Sequence, residues 1–284
     1  AETTLPSFPP LQGDARTQVL VIGGGMAGLL CAYRLKLAGV DTIVLEAGRI
    51  CGGVTQNTTA KITLQHGLIY HKLTDTFGEE KAGLYLQANQ AALERYCTLC
   101  QTLDCDFEIQ DSFVYSSDDR KRIENEVAAL KKLGVNAQIQ TELPLPFKVA
   151  GAVQIKNQAQ FHPLKFAAGI AEGLRIYEHT KVRHLMPGKV ITDHGTITAK
   201  KIIIATHFPI LNKHGLYPLK LYQHRSYVLA LRGAQNLKGM YVDESDKGLS
   251  FRSYGELLLL GGGGHRTGKQ GGCWKEIKNF IFWN

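Results

Sequence analysis

Apolar and polar positions fall into blocks along this chain, and the first block is the sharpest. Val19–Ile22 is a short apolar run of the kind that forms a buried parallel strand. Beyond it, Leu29, Leu30, Tyr33 and Leu37 recur on one helical face, and Gly39 stands where a helix C′ glycine belongs. Thr42–Leu45 is a second strand, and Glu46 ends it. Further along, the pattern predicts helices over about Glu79–Leu103 and Asp118–Leu133, the second with Ser117 as N-cap and Gly134 as C′ residue. Phe113–Tyr115 reads as a strand between them, and Leu219–Leu231 and Met240–Leu260 alternate as antiparallel strands do. No internal repeat or low-complexity linker interrupts this order.

The turn between the first strand and helix carries Gly23, Gly25 and Gly28, the spacing GxGxxG. The first glycine permits a tight turn, the second lets a pyrophosphate reach the backbone, and the third allows close helix–strand packing. Glu46 follows at about the 20-residue distance at which a carboxylate meets a ribose hydroxyl. A glycine turn alone is weak evidence, but with strand, helix, second strand and acid in place it predicts a dinucleotide site. Arg49, Gly52 and Gly53 come next, and then the stretch Val54–Tyr70. Nicotinamide enzymes seldom need that extension, whereas an extended FAD needs a second glycine segment beside its pyrophosphate and ring.

Several motifs together carry a family likeness: GGGMAG, EAGRICGGVTQNTTAKITLQHGLIY, QFHPLKF at Gln160–Phe166, YEHTKV at Tyr177–Val182, and KKIIIATHFP at Lys200–Pro209. QHRSYVLAL at Gln223–Leu231 and SFRSYGELLLLGGGGHRTGK at Ser250–Lys269 complete the set, so the match runs from about Leu5 to Trp274. In these the chain resembles the D-amino-acid oxidase and glycine oxidase superfamily of FAD-dependent oxidoreductases. It is most similar to a bacterial branch whose members continue into a C-terminal Rieske iron–sulfur domain. The resemblance implies an α/β fold in which a Rossmann-like, glutathione-reductase-like FAD-binding domain interleaves with an α+β substrate domain built on an antiparallel sheet. The expected division is 15–78 and 155–210 for FAD, 79–154 and 211–255 for substrate, and 256–284 as the start of a last FAD-domain segment with a strand near Leu257–Leu260.

The same resemblance implies FAD as cofactor, held by Gly23, Gly25, Met26, Ala27, Gly28, Glu46, Ala47, Arg49, Gly53, Val54, Thr58, Thr59, Ala60, Lys61, Val182, Ala205 and Thr206. Glu46 would take the adenosine ribose, Arg49 would lie near the adenine, and Val182 would offer backbone hydrogen bonds to its edge. Ala205 and Thr206 stand at the family's alanine–threonine–glycine turn, where this chain has His207 in place of the commoner glycine. Thr58–Lys61 would lie beside the pyrophosphate and flavin ring, where a lysine stabilises anionic reduced flavin, although a solvated surface lysine is the alternative. Substrate is expected between the sheet and the flavin. Tyr222, His224, Arg225, Tyr227, Arg252 and His265 are the polar residues available there. Arg252 and Arg225 are candidate clamps for a substrate carboxylate, with Tyr227 as hydroxyl partner, because the planar guanidinium matches a carboxylate in two hydrogen bonds. His66 and Tyr70 either line the same cavity or are hydrogen-bonded core groups. No protein base is named, since flavin itself takes the hydride from the carbon bearing the amine.

Composition narrows the remaining classes. With 284 residues, 44% of them hydrophobic, the chain can bury a sizeable core. No apolar run approaches the ~18 to 20 residues of a membrane span, and the first ten residues read as an extended arm rather than a signal peptide, so a cytoplasmic enzyme is expected. The net charge is +8, but the basic residues are scattered and no nucleic-acid motif accompanies them, so no nucleic-acid partner is expected. Six cysteines in such a chain favour free thiols. Ala82, Tyr85, Leu86, Leu93, Tyr96, Cys97 and Cys100 share one helical face, and no fourth ligand lies near, so core packing is expected in place of a metal site. The Cys-His pairs of a Rieske centre are not in these residues. The family chain is expected to run on past Trp274, and the apolar Phe280, Ile281, Phe282 and Trp283 want a partner surface. That implies a truncated chain with weakened FAD affinity and poor turnover, able to associate through its end. Three readings follow: an FAD oxidoreductase of amines or amino acids, an NAD-dependent dehydrogenase, and a non-catalytic remnant.

Overall fold

The structure is a computed structural model, and it describes residues 3–211, 215–245 and 248–269. The chain divides into two units, one holding residues up to Thr58, Leu103–Asp106 and His162–Leu221, the other holding Thr59–Thr102, Phe107–Phe161 and residues from Tyr222 onward. Strands and helices are numbered here in chain order.

The first unit is a six-stranded sheet in the order β7-β2-β1-β10-β9-β8. These are β1 (Ala15–Ile22), β2 (Thr42–Leu45), β7 (Arg175–Tyr177), β8 (Val182–Met186), β9 (Lys189–Thr192) and β10 (Gly195–Ile204). β1 runs parallel to both neighbours, with Ile22 opposite Leu45 on one side and Ile204 on the other. Leu20, Ile43, Leu45 and Ile197 are fully buried, so the uninterrupted apolar run reflects a strand covered on both faces. Helix α1 (Met26–Leu37) ends in a Schellman turn: Val40 N–H donates to the Leu35 carbonyl and Gly39 N–H, at φ 72°, to that of Lys36. Leu29 is buried as expected; Leu37, expected on the same face, is 59% exposed because it closes the last turn. The unit also holds α4 (Pro163–Ala171) and the short α5 (Tyr217–Lys220).

The second unit is an eight-stranded mixed sheet, β11-β14-β13-β12-β4-β6-β3, with β5 also paired to β6. Its strands are β3 (Lys61–Ile62), β4 (Glu108–Ser116), β5 (Ala137–Gln140), β6 (Gly151–Gln160), β11 (His224–Arg232), β12 (Met240–Asp243), β13 (Ser250–Tyr254) and β14 (Leu257–Arg266). Two helical segments, α2 (Tyr70–Thr102) and α3 (Arg120–Lys132), pack Leu86, Ile123, Val127 and Leu130 against Val153 and Ile155 of β6. The other core joins Phe113, Tyr115, Tyr241, Phe251 and Leu260, with the Phe113 and Tyr241 rings stacked at 4.8 Å.

Several expectations shift. The helix expected from Glu79 does start there, after non-helical Gly78 (φ 83°), but a second, unexpected helix over residues 70–77 precedes it, its start capped by Glu126, which accepts from the N–H groups of Ile69, Tyr70 and His71. Asp119, not Ser117, caps α3, its carboxylate accepting from Arg122 N–H, while Gly134 follows the helix as expected. The strand near Leu257–Leu260 belongs to the second sheet, paired to β11 and β13, rather than to the nucleotide sheet. Residues 155–160 likewise stay with the second unit as the end of β6, which places the returns at His162 and Tyr222. The apolar run Phe280–Trp283 lies outside the described residues. No helix among the described residues is long and apolar enough to cross a membrane, and no group of three or more metal-ligating side chains occurs among them.

Candidate functional site

Each unit contributes its own set of residues. In the first, the turn after β1 shows why glycine occupies three positions. A Cβ on Gly23 would lie 2.4 Å from the Ala205 carbonyl oxygen, and one on Gly28 would lie 1.9 Å from that of Gly23. Neither position tolerates a side chain. A Cβ on Gly25 would meet only Thr55 Oγ1 at 3.6 Å, so the space in front of the α1 N-terminus is open. That helix has no acidic residue in its first turn and no side-chain cap on Gly25, which leaves its positive end available to an anion. Met26 N–H donates to Thr55 Oγ1 at 3.1 Å. Ala27 is exposed in the same turn.

Glu46, at the end of β2, accepts from Gly24 N–H at 2.7 Å and Gly48 N–H at 2.9 Å, one bond to each oxygen. A carboxylate has about four acceptor positions, so ribose hydroxyls can share it. Ala47 and Arg49 are exposed beside it, and Arg49 Nε stands 3.9 Å from buried Glu178. Glu178 was not singled out by sequence, yet it accepts from Ile50 N–H and Phe8 N–H and so pins the loop after Glu46 to the N-terminal arm. Gly53 and exposed Val54 open a short 3₁₀ turn, Val54–Asn57, that presents Thr55 to the helix. Val182 begins β8, the edge of the sheet. Ala205 N–H donates to the Ile22 carbonyl at 2.8 Å, and Thr206 Oγ1 to that of Phe208. His207 takes φ 62°, so the chain keeps a glycine-like turn with a histidine in it, its side chain exposed. These features fit a dinucleotide: open space at Gly25 before a helix end for the pyrophosphate, and a carboxylate for the ribose. Cys51, in the same loop, is a buried thiol pushed up to about 11 by its burial and then by Glu46, and is unreactive there.

In the second unit, the segment Thr59–Gly67 borders a cavity of about 300 Å³ on the sheet. Ser112 and Val114 of β4, and Met240 and Val242 of β12, are two residues apart on their strands and so point to this one face. Lys61 reaches it from β3, its Nζ donating to Thr59 Oγ1 at 2.9 Å. Burial, and then the charge of Arg252, lower the Lys61 ammonium to about 7. Ala60 precedes it in a left-handed conformation, φ 48°.

The candidate clamps separate here. Arg252 is buried, and its Nη1 donates to the carbonyls of Thr59, Ala60 and Phe161. Burial lowers it to about 10, against the opposing pull of Glu108. Its visible role is to fix the backbone that carries Lys61, which departs from the expected carboxylate clamp. Arg225 and His224 are exposed on β11, and Arg225 lies opposite His265. Tyr227 stacks on His265 at 5.9 Å, and exposed Tyr222 lies under the Arg266 guanidinium at 4.5 Å. Among the described residues lining the cavity, none of Tyr222, His224, Arg225, Tyr227 and His265 appears. His66 does, 3.2 Å from Asn89 Oδ1, whereas Tyr70 is a core group whose hydroxyl donates to the Leu64 carbonyl. Thr58 is exposed. Ser112, Thr63 and Met240 were missed because only the pairing of β3 with β6, β6 with β4 and β4 with β12 brings them to one sheet.

Strand, glycine turn, helix, acid-ended strand and trailing loop define an FAD-binding class of protein. The family described as DAO, FAD dependent oxidoreductase, matches residues 18–280, and the chain belongs to it. YhfW of Bacillus subtilis, named for a Rieske 2Fe-2S iron–sulfur protein, is 35% identical over 94% of this chain and 56% of its own length. Gamma-glutamylputrescine oxidoreductase of Escherichia coli is 27% identical over 70% of this chain and 50% of its own. The chain thus spans about half the length of these relatives. The solved structure of L-proline dehydrogenase from P. horikoshii matches with TM-score 0.73 over 96% of this chain and 76% of its own, at 16% identity, which shows a shared fold. The cofactor of this family is FAD, and the nicotinamide reading gives way to it.

Proposed function

We propose that this FAD-dependent oxidoreductase oxidises a small-molecule amine or amino acid. The observation that carries the reading is the half-open cavity on the second sheet, in a chain whose first unit has a cradle shaped for a dinucleotide. The names of its relatives, an oxidoreductase of gamma-glutamylputrescine and a dehydrogenase of L-proline, support a nitrogen-bearing substrate.

Bound FAD supplies a two-electron acceptor. The substrate's neutral amine lends its lone pair as the adjacent C–H bond breaks and its electron pair leaves as hydride, and water then hydrolyses the resulting imine to a carbonyl compound and free amine. The residues assigned to FAD are Gly23, Gly25, Met26, Ala27 and Gly28 in the pyrophosphate turn and Glu46 at the ribose. Arg49 and Val182 are assigned to the adenine, and Ala205, Thr206 and Thr58 to Lys61 to the flavin side. The cavity contributes the hydroxyls of Thr59 and Thr63 from the segment around β3 and, on the sheet face, that of Ser112 beside the apolar Val114, Met240 and Val242, enough to orient a small substrate.

Anaerobic mixing of FAD-loaded protein with panels of amino acids, N-methyl amino acids and polyamines tests this. Bleaching of the flavin absorbance by one panel, with a saturable rate, is the expected result. A flavin bleached by none of them would overturn the proposal.

A further inference from the structure

Residues 3–13 form an arm without helix or strand, and two side chains of a single turn hold it. That turn, residues 178–181, joins β7 to β8. Glu178 Oε2 accepts from Phe8 N–H and Thr180 Oγ1 from Leu11 N–H, both at 3.0 Å. The same turn grips the loop after Glu46 from its other side. Glu46 N–H donates to the Tyr177 carbonyl, Thr180 N–H to that of Glu46, and His179 N–H to that of Gly48, each at 2.9 Å. The remaining oxygen of Glu178, Oε1, accepts from Ile50 N–H at 2.7 Å. Ile50 in turn presses on the glycine turn: a Cβ on Gly24 would lie 2.9 Å from its Cγ2, and Cys51 N–H donates to the Gly24 carbonyl at 2.9 Å. A contiguous path thus runs from the arm, through one fully buried carboxylate, to the loop that carries Glu46 and to the pyrophosphate turn. All of it lies inside the first unit.

We infer that Glu178 is a positioning residue for the FAD cradle, and that the N-terminal arm and FAD bind cooperatively through it. A buried carboxylate is costly unless its oxygens are bonded. With the arm docked, Glu178 has an N–H on each oxygen and holds Ile50 in place. With the arm away, Oε2 loses its donor, and the carboxylate is drawn toward water and toward half-exposed Arg49, which stands 3.9 Å from it. Ile50, and with it the loop that presents Glu46, then loses its fixed position. FAD orders that loop from the opposite side, so each event favours the other, and the coupling is equal in both directions. Glu178 has no exposed surface and acts through Ile50, not by touching the cofactor. The arm is suited to firm docking: Phe8 precedes Pro9 and is held extended, and Leu11 is buried with Leu20 and Ile43. This coupling goes beyond the proposed reaction and is indifferent to whether the substrate is an amine or an amino acid.

FAD titrations of wild type, Phe8→Pro, Phe8→Ala and Glu178→Gln, read by flavin fluorescence with melting temperatures alongside, test this without turnover. Proline suits the extended backbone before Pro9 and removes the N–H that Glu178 accepts; alanine keeps the N–H and loses the ring. Phe8→Pro should weaken FAD about fivefold or more, and Phe8→Ala should bind FAD as wild type does. Glu178→Gln should weaken FAD by a similar factor, because an amide has one acceptor oxygen for two N–H groups. The double variant Phe8→Pro/Glu178→Gln should weaken FAD by less than the product of the two single effects, since both break one network. Reciprocally, FAD should slow amide exchange at Phe8 and Leu11 of wild type by a similar factor. A Phe8→Pro protein that melts lower yet binds FAD as wild type does would mark the arm as merely structural and overturn the inference. Arm exchange indifferent to FAD, or a wild type that takes up none, would overturn it too, and fully multiplicative effects in the double variant would exclude the route through Glu178. If Glu178→Gln fails to fold, Phe8→Pro and the exchange measurement still decide.

Discussion

Three glycines in one turn do three different things, and substitution separates them. Gly28→Ala sets a Cβ 1.9 Å from a carbonyl oxygen with no flexible neighbour to yield, and the variant should fail to fold or lose more than about 3 kcal/mol in urea unfolding. Gly25→Ala meets only Thr55 Oγ1, at an ordinary contact distance of 3.6 Å, and should melt like wild type. Lys61 offers a test by pH. Below about pH 7 it is charged in both states, and the folded chain bears the desolvation cost of its half-buried position. Between about 7 and its ordinary 10.5 only the unfolded chain keeps the proton, so stability rises with pH across that window. Lys61→Met should therefore be the more stable protein at pH 6, by at most about 5 kcal/mol, and the gap should close near pH 10.5. A gap that stays constant with pH would contradict the burial of this lysine. The glycines and Glu46 were legible in sequence because each is fixed by local backbone geometry. Glu178 and Arg252 were not legible in their present roles, since their partners, Phe8 and Thr59, lie 170 and 193 residues away.

At the scale of elements, two polar side chains organise backbone that has no regular partners. Arg252 on β13 serves three carbonyls around β3, a strand of only two residues. Arg252→Leu should cost about 3 kcal/mol or more and speed amide exchange through Thr59–Lys61. A variant of unchanged stability, with only a raised KM for an amino acid, would instead restore its reading as a clamp. Glu126 on α3 takes three N–H groups at the start of α2, and Glu126→Ala should cost about 2–4 kcal/mol, read as a lowered unfolding midpoint. Burial raises the affinity of this carboxyl for its proton despite those bonds, and Glu126→Gln should accordingly be milder. Helical periodicity located the apolar faces of α2 and α3, but not the first turn of α2, because a cap supplied from another element leaves no local pattern. The same holds for β14: its apolar run announced a strand, and only pairing with β11 and β13 decided the sheet.

The molecule as a whole comprises a nucleotide unit and a unit that carries a small cavity bordered by Lys61, in a chain of the FAD dependent oxidoreductase family. The fold class was readable from the order of strand, turn, helix and acid, since that order is what a parallel nucleotide sheet requires. The cavity was not, because Lys61, Ser112 and Met240 meet only when three distant strands align. The most direct measurement is an FAD titration of wild type, Gly25→Val and Glu46→Gln, followed by flavin fluorescence with melting temperatures recorded alongside. Wild type is expected to bind about one FAD. Gly25→Val should fold yet lose FAD by a hundredfold or more, since its side chain fills the pyrophosphate approach, and Glu46→Gln should lose about tenfold, as expected for weakened ribose bonds. Folded variants that bind FAD as wild type does, or a wild type that takes up none, would contradict the assignment of this turn to the cofactor.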